Sequence, residues 1–190
     1  MLHKFQNIFF IFALFLTCSY AEDLSYNKTL SLDGITFYVS TTGEGSLRQL
    51  SIVPSGLEVD NSTIKEEIDG EVTDVKVADI NGDGFPEIYI FTTSAGSGSY
   101  GDVIAYSTNH KKSLSRIYFP EINPESKEEK GYMGHDNFNI VDNVLVRRFP
   151  IYKENDSNAK PTGGTRELEY RLKKGKDSWQ LEVSKNIILK

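Results

Sequence analysis

Two clusters near the middle of this 190-residue chain carry side chains suited to binding or catalysis. The first is DINGDGFPE, which holds Asp79, Asn81, Asp83 and Glu87. Oxygen donors at alternating positions wrap a hard cation such as calcium, and glycine allows the sharp turn between them. An EF-hand is excluded, because Pro86 and strand-like flanks leave no exit helix. The same residues also fit an Asx-rich turn, in which Asp and Asn cap their own backbone. Both readings stay open on sequence alone.

The second cluster is Ser97-Gly98-Ser99-Tyr100, between Gly96 and Gly101. It forms G-x-G-x-x-G, but a dinucleotide fingerprint needs a helix after the glycines, so that the phosphate meets a helix N-terminus. Here Asp102-Val103-Ile104-Ala105-Tyr106 follows, a strand. A kinase glycine loop would need V-A-I-K, H-R-D and D-F-G partners, and none follows. No serine is flanked by glycines as in G-x-S-x-G. Past the leader, the histidines are His110 and His135. A lone His135–Asp136 pair is more often a satisfied turn than a catalytic dyad. An enzyme is therefore the weaker class, and no cofactor is required beyond the candidate calcium. What remains is a tight loop with two hydroxyls and a phenol. Tyr100 offers a rigid aromatic anchor with a polar tip. Neutral hydroxyls aimed at the two acidic residues of a glycosidase cleft would make charge-assisted hydrogen bonds without being hydrolysed. The plain alternative is a hairpin loop whose Tyr100 packs on its own sheet.

Strand signals dominate the elements that must hold these clusters. Asp33-Gly34 and Asp142-Asn143 are two-residue hairpin turns between apolar runs. Residues 47–53, 75–78, 87–91, 102–106, 114–119, 168–172 and 179–183 add further strands. About ten strands with short turns predict an all-β fold, an antiparallel β-sandwich or flattened barrel with little helix. Residues 123–130 read as one polar helical turn or a solvated loop, and residues 153–165 as a long polar connection. Either could rim the glycine loop.

The first 21 residues read as a cleaved signal peptide. Lys4 precedes the apolar run 8–16, and Ser19-Tyr20-Ala21 is a small-x-small cleavage site. The rival is a lipid anchor on Cys18, against which Thr17 and Phe15 argue. The apolar run is too short for a membrane span. Cleavage removes the one cysteine, so residues 22–190 are expected to form a single domain held by its core without disulfides. That points to the periplasm, with release from the cell as the lesser alternative. The net charge of −6 becomes −7 without Lys4. This argues against nucleic acid and anionic lipid, and favours a cationic protein partner.

Several segments in order, VADINGDGFPEIYIF, SAGSGSYGDVIAY, KSLSRIYFP, GYMGHDNF, LVRRFPIY and PTGGTRELEYRL, resemble the periplasmic inhibitors of invertebrate-type (I-type) lysozyme. In that family an exposed S-G-x-Y loop enters the lysozyme cleft. The resemblance implies Ser97 and Tyr100 as the inserted side chains, an all-β fold that is often a homodimer, and a basic lysozyme as target. The nine-residue acidic turn separately resembles the short calcium loops of β-propeller and integrin-type repeats, here in one copy. That resemblance implies the alternative function, a calcium-dependent surface binding or adhesion module.

Overall fold

A computed structural model describes residues 24–121, 123, 125–176 and 178–189. The signal-peptide reading of residues 1–21, with Cys18, lies outside them. Twelve strands form three four-stranded antiparallel sheets, each a simple meander. The first holds β1 (Leu24–Leu32), β2 (Ile35–Thr42), β3 (Leu47–Ser55) and β4 (Ile64–Asp69). The second holds β5 (Glu71–Ala78), β6 (Glu87–Thr93), β7 (Gly101–Ser107) and β8 (Ser115–Ile117). The third holds β9 (Asn137–Val141), β10 (Val144–Pro150), β11 (Thr165–Lys174) and β12 (Trp179–Leu189). The described residues contain no helix, as the sequence predicts.

The two predicted hairpins form with the backbone their residues favour. Asp33 and Gly34 have φ of 51° and 82°, and Asp142 and Asn143 have 50° and 60°. Positive φ at both central residues matches the right-handed twist of the flanking strands.

The expected all-β antiparallel fold forms, layered as three stacked sheets. No sheet closes, and the second sheet lies between the other two, with an apolar cluster on each face. Strand periodicity makes this possible. Along β6, Ile88 and Ile90 face the first sheet, meeting Ile35, Phe37, Leu50 and Ile52. Tyr89 and Phe91 face the third sheet, meeting Leu145, Phe149, Leu168 and Tyr170. β7 repeats the division, with Ile104 and Tyr106 on one side and Val103 and Ala105 on the other. In β5, Val72 and Val75 share one cluster despite an odd spacing, because a bulge between Val72 and Asp74 resets the phase.

Polar links also join the layers outside these clusters. Gly70 alone separates β4 from β5, where the chain changes sheet. Lys28 reaches from β1 to Asp74 at 2.6 Å and to the Val75 carbonyl at 3.0 Å. Tyr118 and the start of β12 exchange backbone hydrogen bonds, Tyr118 N to Trp179 O (2.9 Å) and Leu181 N to Tyr118 O (2.8 Å).

Phe91 stacks on Phe138 with centroids 5.6 Å apart and is buried between the second and third sheets. Phe91→Ala should therefore lower stability by about 3–5 kcal/mol. Urea unfolding should show a lower midpoint with an unchanged slope; a shift below about 1 kcal/mol would contradict this packing.

Candidate functional site

The glycine loop is the β6–β7 connection, residues 94–100, at the end of the doubly buried hairpin. Its ends are closed by Ser94 N donating to Tyr100 O at 2.8 Å and by Tyr100 N donating to Ser94 Oγ at 3.1 Å. Ser99 N donates to Gly96 O at 3.1 Å, tightening the tip. Ser97 and Tyr100 are exposed, Tyr100 to 48 %.

Gly98 is fixed by contact rather than by φ. A Cβ there would lie 2.3 Å from the Tyr100 ring. The ring thus lies across the Gly98 backbone, which explains a glycine two residues before the tyrosine.

Two neighbouring segments hold the loop's outward carbonyls. His135 N donates to Gly98 O at 2.7 Å, and Asn158 Nδ2 donates to Ser97 O at 3.0 Å. The His135 ring in turn contacts Asn158 Oδ1 at 3.1 Å. Gly134 makes the first approach possible: its φ is +89°, and a Cβ would stand 2.0 Å from Gly98 O. The 153–165 connection is thus a support of the loop, through Asn158.

Beneath the loop lies a buried ionic cluster. Arg147, fully buried, donates from Nε to Asp136 at 2.7 Å and from Nη1 to Glu129 at 2.9 Å. Its guanidinium also lies over the rings of Tyr132 (4.7 Å) and Phe149 (5.0 Å). Burial works against its charge, but Asp136 outweighs this and raises its pKa. Asp136 also accepts from Gly101 N at 2.8 Å and from the Tyr132 hydroxyl. Burial, then that bond to the Asp136 carboxylate, pushes the Tyr132 phenol up, so it remains a donor. Tyr132 meets Tyr100 edge to face at 5.7 Å. One carboxylate therefore ties the first residue of β7, the aromatic neighbour of Tyr100 and the buried cation together.

This corrects one sequence expectation. Residues 123–130 are not wholly solvated surface, since Glu129 is buried against Arg147. The His135–Asp136 pair is satisfied locally, as the sequence favours: Asp136 is committed to Arg147, Tyr132 and Gly101 N, while the His135 ring bonds Asn158. Tyr100 does not pack on its own sheet: its half-exposed ring lies over Gly98 and beside Tyr132.

The acidic turn lies at the other end of β6. Asp79 Oδ1 accepts from Gly82 N (2.7 Å) and Asp83 N (3.1 Å), and Oδ2 from Gly84 N (2.8 Å). Asn81 Oδ1 accepts from Asp83 N at 2.9 Å, and its amide donates to Asp83 at 3.0 Å. The Asx turn is thus formed. Beyond that turn, ligand-type oxygens of Asp79, Asp83 and Glu87 converge within 4.8 Å of one another. Glu87 is fully buried. Burial first, then the Asp83 and Asp79 charges, pushes its carboxyl up to about 8.

Sequence reasoning missed Arg147, Tyr132, Glu129 and Asn158 as parts of the site. Arg147 left a signal: with Leu145 and Phe149 it occupies alternate positions of β10, which places a cation on the core face.

The arrangement defines a protein that presents a rigid, exposed loop from a β scaffold. Residues 61–129 match the family model described as periplasmic lysozyme inhibitor of I-type lysozyme. That stretch runs from just before β4 through Glu129 and includes both the acidic turn and the Ser97–Tyr100 loop, so the resemblance is borne out there. Searches of curated proteins and of solved structures found no match. No helix among the described residues is long and apolar enough to cross a membrane.

Asp136→Ala would strand Arg147 with Glu129 alone and release Gly101 N and the Tyr132 hydroxyl. It should destabilise by about 3–5 kcal/mol, the range for breaking a buried pair. Denaturant titration checks this; a loss under about 1 kcal/mol would mean the cluster does not hold the fold.

Proposed function

We propose that this chain is an exported, non-enzymatic inhibitor of I-type lysozyme. It acts in the periplasm, inserts the Ser97-Gly98-Ser99-Tyr100 loop into the enzyme's cleft, and so protects the cell wall. The observation that carries the reading is the exposure of Ser97 and Tyr100 on a loop pinned by its neighbours, within the stretch that matches the inhibitor family. A pinned loop loses little conformational freedom on binding, which favours affinity. A glycosidase cleft offers two carboxyl groups flanking the scissile bond. The Ser97 and Tyr100 hydroxyls are neutral donors that can serve those acids in place of sugar hydroxyls.

A groove of about 500 Å³ runs beside the loop, with Tyr100 on its wall. Glu66, Glu67, Asp69, Asp102 and Glu121 line it against a single cation, Arg116, which is paired with Glu66. This acidic flank complements a basic partner and would speed encounter.

The double variant Ser97→Ala/Tyr100→Ala should weaken inhibition at least about 30-fold, the loss of a central anchor worth about 2 kcal/mol. Its melting temperature should stay within a few degrees of the parent. Undiminished inhibition would remove the site assignment. Gly98→Ala is the subtler test, because its backbone φ suits alanine and only the Tyr100 ring must move. It should cut inhibition by roughly tenfold or more while stability changes by less than about 1 kcal/mol.

A further inference from the structure

The acidic turn of residues 79–87 has a feature that neither the Asx turn nor the inhibitory loop explains. Glu87 is fully buried at the start of β6, and its Oε1 has no hydrogen-bond partner. Its other oxygen accepts from Ile80 N at 3.1 Å and from the Tyr89 hydroxyl at 3.4 Å. Buried polar atoms are nearly always partnered, so an orphan carboxylate oxygen asks for a ligand. Asp79 and Asp83 bring further carboxylate oxygens within 4.8 Å of the Glu87 ligand atom. Three acids so close repel one another when charged, and a cation among them would offset that repulsion.

We propose that Asp79, Asp83 and Glu87 bind one calcium ion, which fastens the β5–β6 connection and stabilises the scaffold. The donor set is all oxygen, which suits a hard cation. The turn's hydrogen bonds are compatible with this, because each carboxylate oxygen has more than one lone pair. The Asp79 oxygens that cap Gly82, Asp83 and Gly84 hold the loop open around the site while keeping capacity for the ion. Asn81 is engaged with Asp83 and acts as a brace. Three carboxylates leave room for water and backbone carbonyls to reach the six to eight ligands calcium takes. Calcium is favoured over magnesium because it accepts irregular all-oxygen coordination, whereas magnesium demands a near-ideal octahedron. The site is at the far end of β6 from the inhibitory loop, so its role is structural and independent of the lysozyme reading.

The test is calorimetric titration of calcium into chelator-stripped mature protein, with thermal unfolding at each calcium concentration. One ion per chain should bind, and saturating calcium should raise the melting temperature by on the order of 5 °C. Glu87→Gln and Asp83→Asn should each abolish the heat and the shift. Asp83 is exposed and its amide replacement keeps the cap to Phe85 N, so that variant remains folded even if the Glu87 one does not. Magnesium at equal concentration should give a clearly smaller shift. No heat and no shift up to about 10 mM calcium, well above the weakest extracellular sites, would overturn the proposal. So would unchanged binding in Asp83→Asn, and an equal response to magnesium would overturn the assignment to calcium. None of these readings involves lysozyme, so failure here and failure of the inhibitor function are separate results.

Discussion

Burying a guanidinium in a β core constrains everything around it. Arg147 is charged at any accessible pH and has lost its water, so opposite charges must come to it. Asp136 and Glu129 do so from two irregular segments that strand pairing would not otherwise place. Fixing Asp136 then fixes Gly101 N and the Tyr132 hydroxyl, and through Tyr132 the neighbourhood of Tyr100. A well-packed apolar side chain could match this cluster in stability. What the ionic cluster adds is direction, since each of its hydrogen bonds has one geometry. The loop inherits that geometry.

The hairpin that carries the loop is held on both faces. β6 and β7 contribute to the apolar clusters on either side of the middle sheet, so the loop stands on a base that has little freedom to move. The two chemically active regions are at opposite ends of β6. A seven-residue strand separates the acidic turn from the glycine loop by roughly 20 Å at about 3.3 Å per residue. One end carries the exposed loop, and the other carries the acidic turn.

Much of this was legible in the residues, and what was not has physical reasons. The Asp33-Gly34 and Asp142-Asn143 turns announced themselves because few residues accept positive φ. The exposed loop was legible because its glycines and hydroxyls fit no nucleotide or nucleophile context. β4 escaped notice: IKEEID is mostly charged, and only Ile64 and Ile68 mark its inner face. The third layer was hidden too, although the unbroken Ile88–Phe91 run already favoured burial on both sides over the alternation of a solvated sheet. Glu129 lay among exposed polar residues, and its burial depends on a partner eighteen residues away. Asn158 carried no local signal, because its partner Ser97 is sixty-one residues distant. Local patterns reveal strands and turns; the supports of a loop come from long-range contacts that no window of sequence contains.

The most direct examination of the proposed inhibitor function is a titration of purified protein spanning residues 22–190 into I-type lysozyme, following lysis of bacterial cell walls, with chicken-type lysozyme in parallel. The structure and the family match predict that I-type activity falls to near zero as the protein approaches one loop per active site, while the chicken-type enzyme is much less affected. Undiminished lysis by the I-type enzyme at a large excess of folded protein would contradict the account.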